Sequence, residues 1–129
     1  MKFGVSIFPT DYSIHPGELA AAAEERGFES FWVPEHSHFP VSAFTPGRNE
    51  GGLAAEYYDV MDPFVALAMA AQATRELRVG TSICLVVQRD PIQLAKQVAS
   101  LDALSGGRFD FGVGGGAGRG GGRGRSRRM

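Results

Sequence analysis

Residues 30–40, with the sequence SFWVPEHSHFP, place a carboxylate and two histidines directly after a short apolar run. Glu35, His36 and His38 are residue types that transfer protons, bind metal ions or hydrogen-bond a cofactor. In an extended segment, His36 and His38 lie on the same side, and a carboxylate could complete a zinc or iron site with them. His15 is the only other histidine. A metal site, a solvent-facing strand end and a cofactor-facing cluster are therefore three open hypotheses.

Two further segments combine small residues with apolar strands. In VGTSICLV, Gly80, Thr81 and Ser82 interrupt an apolar run, either to relieve crowding inside a barrel or to let a planar ligand approach. In FDFGVGGG, Gly114 and Gly115 follow the apolar residues, so their backbone amides could also approach a ligand. This glycine run lacks the G-x-G-x-x-G spacing of a dinucleotide loop.

The elements that must position these residues alternate between strand-like and helix-like patterns. Strands are predicted at 2–8, 29–34, 77–87 and 108–114 from apolar, aromatic and β-branched runs. The first helix is predicted over 16–27, between a proline and a glycine. Two further helices begin at the N-cap pairs Asp62-Pro63 and Asp90-Pro91, whereas residues 37–61 lack periodicity and are predicted as a long loop.

This β-α-β-α-β-α-β order predicts an α/β fold with parallel strands and right-handed crossovers. Within three of the strands the large residues share one face, and small or polar residues such as Gly4, Ser82, Cys84 and Gly112 occupy the other. An open sheet with helices on both sides favours apolar bulk on both faces, so this pattern favours a (β/α)8 TIM barrel. A complete barrel needs about 250 residues. We therefore expect the first half of a barrel, truncated after the fourth strand.

Composition limits the cellular setting and the partners. The formal net charge of −1 and the absence of a long apolar run predict no membrane and no nucleic acid as partner. The single cysteine, Cys84, excludes an intrachain disulfide, and the N-terminal apolar run is too short for a signal peptide, so we expect a cytoplasmic protein. Residues 1–116 are predicted to form the domain. Residues 117–129 contain only Gly, Arg, Ala, Ser and Met and are predicted to be a disordered tail, either RNA-binding or a chance sequence.

Taken together, three segments resemble the luciferase-like monooxygenase superfamily, and in particular its members that use the deazaflavin coenzyme F420. The segments are KFGVSIF (2–8), RGFESFWVPEHSHFP (26–40) and DPFVALAMAAQATRELRVGTSICLVVQRDPIQLAKQVASLDALSGGRFDFGVGGG (62–116). The resemblance covers residues 1–116. It implies a TIM barrel with the cofactor ring at the C-terminal face and hydride transfer between the deazaflavin and a substrate carbon.

The resemblance also implies roles for individual residues. Glu35 and His36 would be the catalytic pair beside the ring, with His36 as a proton donor or hydrogen-bond partner and Glu35 orienting it. The bond between Ser82 and Ile83 would be a non-prolyl cis peptide that backs the ring. Gly114 and Gly115 would lie beside the ring, and no metal is implied.

The expected function is that of an N-terminal fragment of an F420-dependent oxidoreductase acting on an unknown small-molecule substrate, inactive alone. FMN is the alternative cofactor, and the fragment would then come from an FMN-dependent monooxygenase. A second hypothesis is a non-catalytic half-barrel that forms a homo-oligomer or docks on another chain.

Overall fold

The computed structural model describes residues 1–38 and 54–115, and it confirms the predicted alternation of strands and helices. The six strands are β1 (Gly4–Ser6), β2 (Ser30–Val33), β3 (Arg78–Thr81), β4 (Cys84–Leu85), β5 (Phe109–Asp110) and β6 (Val113–Gly114). The four helices are α1 (Pro16–Glu25), α2 (Glu56–Asp59), α3 (Pro63–Gln72) and α4 (Pro91–Ser105). Residues Val86–Gln88 form a 3-10 turn before α4. Helix α2 lies in the stretch predicted as loop, of which residues 39–53 fall outside the described residues.

The strands form a parallel sheet in the order β1-β2-β3-β5, and β4 pairs in parallel with β6. The predicted third strand, 77–87, is divided into β3 and β4, and the predicted fourth strand, 108–114, is divided into β5 and β6. This arrangement agrees with four consecutive strands of a (β/α)8 barrel, as the sequence predicts.

Helix ends follow from the caps that the sequence provides. Asp62 accepts hydrogen bonds from the backbone N–H groups of Phe64 and Val65 at the start of α3, and Asp90 caps α4 in the same manner. Gly106 ends α4 with a φ of 70°, a left-handed conformation that a glycine adopts without a steric penalty.

The hydrophobic core lies between the sheet and the helices. Phe31, Val33, Leu67 and Val79 have no exposed surface, and they come from two strands and from α3. Phe31 and Val33 of β2 and Val79 of β3 therefore face the helices. The prediction that bulky residues point outward to the helices and smaller ones inward holds for Leu77, Val79 and Thr81 in the third predicted strand.

In the third predicted strand the faces are wrong after Ser82. The N–H groups of Arg78 and Ser82 donate toward β2, to Glu29 and Val33 carbonyls, whereas the N–H of Cys84 donates to Gly112 on the other side. The alternation therefore changes phase between Ser82 and Cys84. As a result Cys84, predicted on the small inner face, is fully buried in the core, and Ile83, predicted on the helix-facing side, is 38% exposed. Two more predicted helix-facing residues, Phe111 and Val113, are also exposed.

Trp32 covers the middle of the inner face of the sheet. Its indole N–H donates to Ser30 Oγ at 2.8 Å. An added Cβ at Gly80 would lie 2.7 Å from the indole Cε3 and 2.9 Å from the Asp110 carbonyl. Gly80 therefore makes room for a ring of the protein itself, which favours the crowding hypothesis at this position.

Within residues 1–38 and 54–115, no helix has the length and apolar character needed to cross a membrane.

Candidate functional site

The predicted site residues lie where parallel strands end, at the rim formed by the carboxyl ends of β2, β3 and β6. In parallel barrels this end builds the active site. Glu35 and His36 follow β2, Ser82 and Ile83 follow β3, and Gly114 is the last residue of β6. Hereafter "the rim" means this strand-end region.

Glu35 is buried and both oxygens of its carboxylate have partners. Oε2 accepts a hydrogen bond from the Leu85 N–H at 2.7 Å, and Oε1 accepts one from Arg89 Nε at 2.6 Å. The residue is only 4% exposed. In a longer β2, a backbone carbonyl would accept the hydrogen bond from the Leu85 N–H. Because β2 ends at Val33, the Glu35 carboxylate accepts that bond instead.

Arg89 connects Glu35 to the N-cap of α3 and to the side chain of Gln97 in α4. Its other two nitrogens donate to Asp62 Oδ2 at 2.8 Å and to Gln97 Oε1 at 3.1 Å, and its guanidinium lies 4.9 Å from the centre of the Phe64 ring. Burial lowers the pKa of Arg89, but hydrogen bonds to Asp62 and Glu35 more than compensate, so the guanidinium stays charged. We call Glu35, Arg89 and Asp62 the rim clamp.

His36 points to a different environment from its neighbour. Its ring stacks on the Phe8 ring with centroids 5.8 Å apart and an interplanar angle of 5°. The centroid of the Tyr57 ring lies 5.0 Å from that of His36. Burial lowers the pKa of His36, while the charge of Glu35 acts in the opposite direction. The lowered pKa means that the neutral imidazole, which can donate and accept a hydrogen bond, predominates at neutral pH.

The structure brings Ile83 and Gly114 together. The Ser82–Ile83 peptide bond is cis, as the resemblance implied. A Cβ at Gly114 would overlap with the Ile83 side chain and lie 3.2 Å from its Cγ1. At Gly115 an added Cβ would meet nothing within 4 Å. Contact of these residues with a cofactor stays a prediction.

The other two histidines have different partners. His15 Nδ1 accepts a hydrogen bond from the Gly17 N–H at the start of α1, and His38 Nδ1 lies 3.0 Å from Ser37 Oγ. Among the described residues, no three His, Cys, Asp or Glu side chains form a cluster that could hold a metal ion.

A cavity of about 210 Å³ opens beside the clamp. Its lining comprises Glu35, His36, Ser37, Tyr58, Val60, Met61, Asp62, Pro63 and Arg89. Pockets for drug-sized ligands occupy roughly 300–1,000 Å³, so the described residues enclose only part of such a pocket.

Sequence reasoning missed Arg89 and recognised Asp62 only as a helix cap. One signal was present: Arg89 directly precedes the N-cap Asp90, and a cation at a helix N-terminus is unfavourable unless a carboxylate compensates it. The aromatic partners of His36 had no comparable signal, because Phe8 and Tyr57 are separated from it by 28 and 21 positions.

The luciferase-like monooxygenase family model matches residues 2–120. The chain belongs to this family. The match ends four residues beyond the predicted domain boundary at 116. That boundary stays a prediction, because residues 116–129 lie outside the described residues.

Three relatives illustrate the range of the family. An uncharacterized protein of Mycobacterium tuberculosis is 42% identical over 117 residues, which cover 88% of this chain and 42% of that protein. The structure of a coenzyme F420-dependent tetrahydromethanopterin reductase from Methanopyrus kandleri has a TM-score of 0.65 and 27% identity, covering 87% of this chain and 26% of that one. The structure of a monooxygenase from Streptomyces bottropensis has a TM-score of 0.68 and 34% identity, covering 88% of this chain and 32% of that one. The chain thus spans less than half the length of each relative.

Proposed function

We propose that residues 1–115 form the amino-terminal half of the cofactor site of an F420-dependent oxidoreductase that acts on a small organic molecule. The observation that carries the proposal is the placement of His36, Ile83 and Gly114 at the carboxyl ends of parallel strands in a luciferase-like barrel. Because the chain spans less than half of its relatives, the activity is proposed for the longest form of the protein that contains these residues.

The rim offers features suited to a flat deazaflavin ring. Ser82 and Ile83 are both exposed, so a hydroxyl and an apolar side chain are available side by side. Gly114 lets the Ile83 side chain lie against the β6 backbone, which supports one face of a ring placed at the rim. Gly115 has open space around it and could admit the edge of the ring.

Residue roles follow from these surroundings. Bound F420 supplies a carbon that accepts or donates hydride. His36, neutral at pH 7, accepts the proton of a substrate hydroxyl when hydride leaves the adjacent carbon, or returns a proton to the oxygen in the reverse direction. Phe8 and Tyr57 hold the imidazole in place. Glu35, whose two oxygens have partners already, acts on His36 through its charge.

FMN is the second candidate cofactor, and with it the protein would be a monooxygenase. A relative at 34% identity is a monooxygenase by name, and another at 27% depends on F420 by name. The F420 proposal rests on the motif resemblance of residues 26–40 and 62–116. A non-catalytic half-barrel that docks on another chain or on a second copy is the third candidate, because β1 and β5 are the outer strands of the described four-stranded sheet.

The role of His36 is tested by His36→Ala in the longest form of the protein, with His38→Ala as the matched control. We expect turnover with F420 to fall about 10²-fold or more, as for loss of a general acid or base. The control should keep its turnover. Unchanged turnover in His36→Ala would remove this residue from the mechanism, and turnover that depends on FMN but not on F420 would favour the second candidate.

A further inference from the structure

The backbone after the Ser82–Ile83 bond depends on a side chain for its hydrogen bonding. The Ser82 N–H still donates to the Val33 carbonyl of β2. After the phase change, the Leu85 N–H points to the same side of its strand, but β2 has ended at Val33 and offers it no carbonyl. The Glu35 carboxylate accepts from the Leu85 N–H at 2.7 Å instead. The hydrogen bond to the Glu35 carboxylate therefore connects β4 to the segment that follows β2.

A carboxylate buried in this way needs a counter-charge, because an isolated buried anion is strongly destabilised. Arg89 is the cation that touches it, and only 15% of the Arg89 side chain is exposed. The guanidinium donates through three nitrogens to Glu35, Asp62 and Gln97. A lysine could not donate to these three acceptors in the same geometry, because its ammonium is a compact point charge without the planar fork of a guanidinium.

We propose that Arg89 is a positioning residue for the cofactor: by holding Glu35 against the Leu85 amide, it fixes the Ile83–Leu85 backbone and with it the Ile83 side chain at the rim. The inference rests on the proposed function, since it assumes that Ile83 meets the ring. The three guanidinium nitrogens of Arg89 donate to Glu35, Gln97 and Asp62, so Arg89 does not act as a catalytic residue.

Two variants test this role, Arg89→Met and the charge-conserving Arg89→Lys, with Arg75→Met as a control that removes an exposed arginine. The first readout is amide hydrogen exchange in the 129-residue chain. The Leu85 amide should exchange roughly 10²- to 10³-fold faster in Arg89→Met, as expected when a buried charge pair is broken. In Arg89→Lys we expect the same direction with a smaller change. The Val79 amide, bonded to the Arg108 carbonyl within the sheet, should keep its wild-type rate and so exclude global unfolding.

The second readout is the dissociation constant for F420, and for FMN in parallel, measured in the longest form at a temperature where each variant is folded. We expect both Arg89 variants to bind the cofactor about 10-fold more weakly than wild type, a size typical of lost supporting contacts, whereas Arg75→Met binds normally. If Arg89→Met does not fold, Arg89→Lys carries the test.

The outcomes separate the two proposals. Unchanged Leu85 exchange in the variants would overturn the positioning role, and so would faster exchange with unchanged cofactor affinity, which would leave Arg89 a structural residue only. If the wild-type protein binds neither F420 nor FMN, the proposed function fails and the positioning role fails with it.

Discussion

Gly80→Ala is a sharp test of how the inner face of the sheet is built. The substitution adds one carbon at a position where the nearest ring atoms leave no room: the new Cβ would lie 2.7 Å from Trp32 Cε3 and 2.9 Å from the Asp110 carbonyl. Carbon atoms in contact are normally about 3.5–4.0 Å apart. The indole or the β3 backbone must therefore move by roughly 1 Å.

The cost has two parts. Overpacking typically costs about 1–3 kcal/mol, and losing the hydrogen bond between the Trp32 indole and Ser30 Oγ costs about 0.5–1.5 kcal/mol more. We therefore expect Gly80→Ala to lower the free energy of unfolding by about 1.5–4.5 kcal/mol. Gly115→Ala is the matched control, because a Cβ there meets nothing within 4 Å, and its effect should stay within about 0.5 kcal/mol.

Trp32 is the only tryptophan in the sequence, so its fluorescence reports on this position alone. Denaturant unfolding followed by tryptophan fluorescence gives both the stability and the native emission spectrum. We expect a shifted native emission maximum in Gly80→Ala and none in Gly115→Ala. Wild-type stability together with a wild-type spectrum would refute the crowding explanation, and a loss of cofactor binding without a change at Trp32 would favour the alternative that Gly80 makes room for a ligand.

Three further predictions concern Glu24, Cys84 and Arg108. Burial raises the pKa of Glu24, but hydrogen bonds from the Glu76, Leu77 and Arg75 amides lower it overall; its contribution to stability is therefore present at neutral pH and lost on acidification, so Glu24→Gln should lower Tm more at pH 7 than at pH 3. Burial, with a hydrogen bond to Glu35, raises the pKa of the Cys84 thiol to about 12; alkylation at pH 8 should be about 10³-fold slower in the native chain than in the unfolded chain, and comparable rates would contradict this. Arg108 donates hydrogen bonds to Ser105, Thr74, Leu77 and Ala71 oxygens; Arg108→Lys should cost about 2–4 kcal/mol in a denaturant titration, and a loss below 0.5 kcal/mol would show that these bonds contribute little.

The scaffold was predictable because its signals are local. Asp62-Pro63 and Asp90-Pro91 mark helix starts through contacts within three residues, and period-two runs mark the strands. The βα order then restricts the sheet to parallel pairing. These features needed no knowledge of distant contacts, and the structure confirms them.

The site was predictable only in outline. The position of Glu35 and His36 at a strand end follows from sequence, but their directions depend on distant residues: Leu85 and Arg89 hold Glu35 from 50 and 54 positions away. The phase change after Ser82, which exchanges the expected faces of Ile83 and Cys84, likewise depends on pairing with Gly112. Long-range pairing of this kind leaves no periodic signal in either partner.

We propose that a deazaflavin ring rests at the rim formed by the ends of β2, β3 and β6. The most direct measurement is a titration of the longest form of the protein with F420 and with FMN, monitored by absorbance and by backbone NMR. We expect saturable binding of F420 with chemical-shift changes concentrated at His36, Ser82, Ile83 and Gly114. Binding with shifts on the opposite side of the sheet, or no binding of either cofactor, would contradict it.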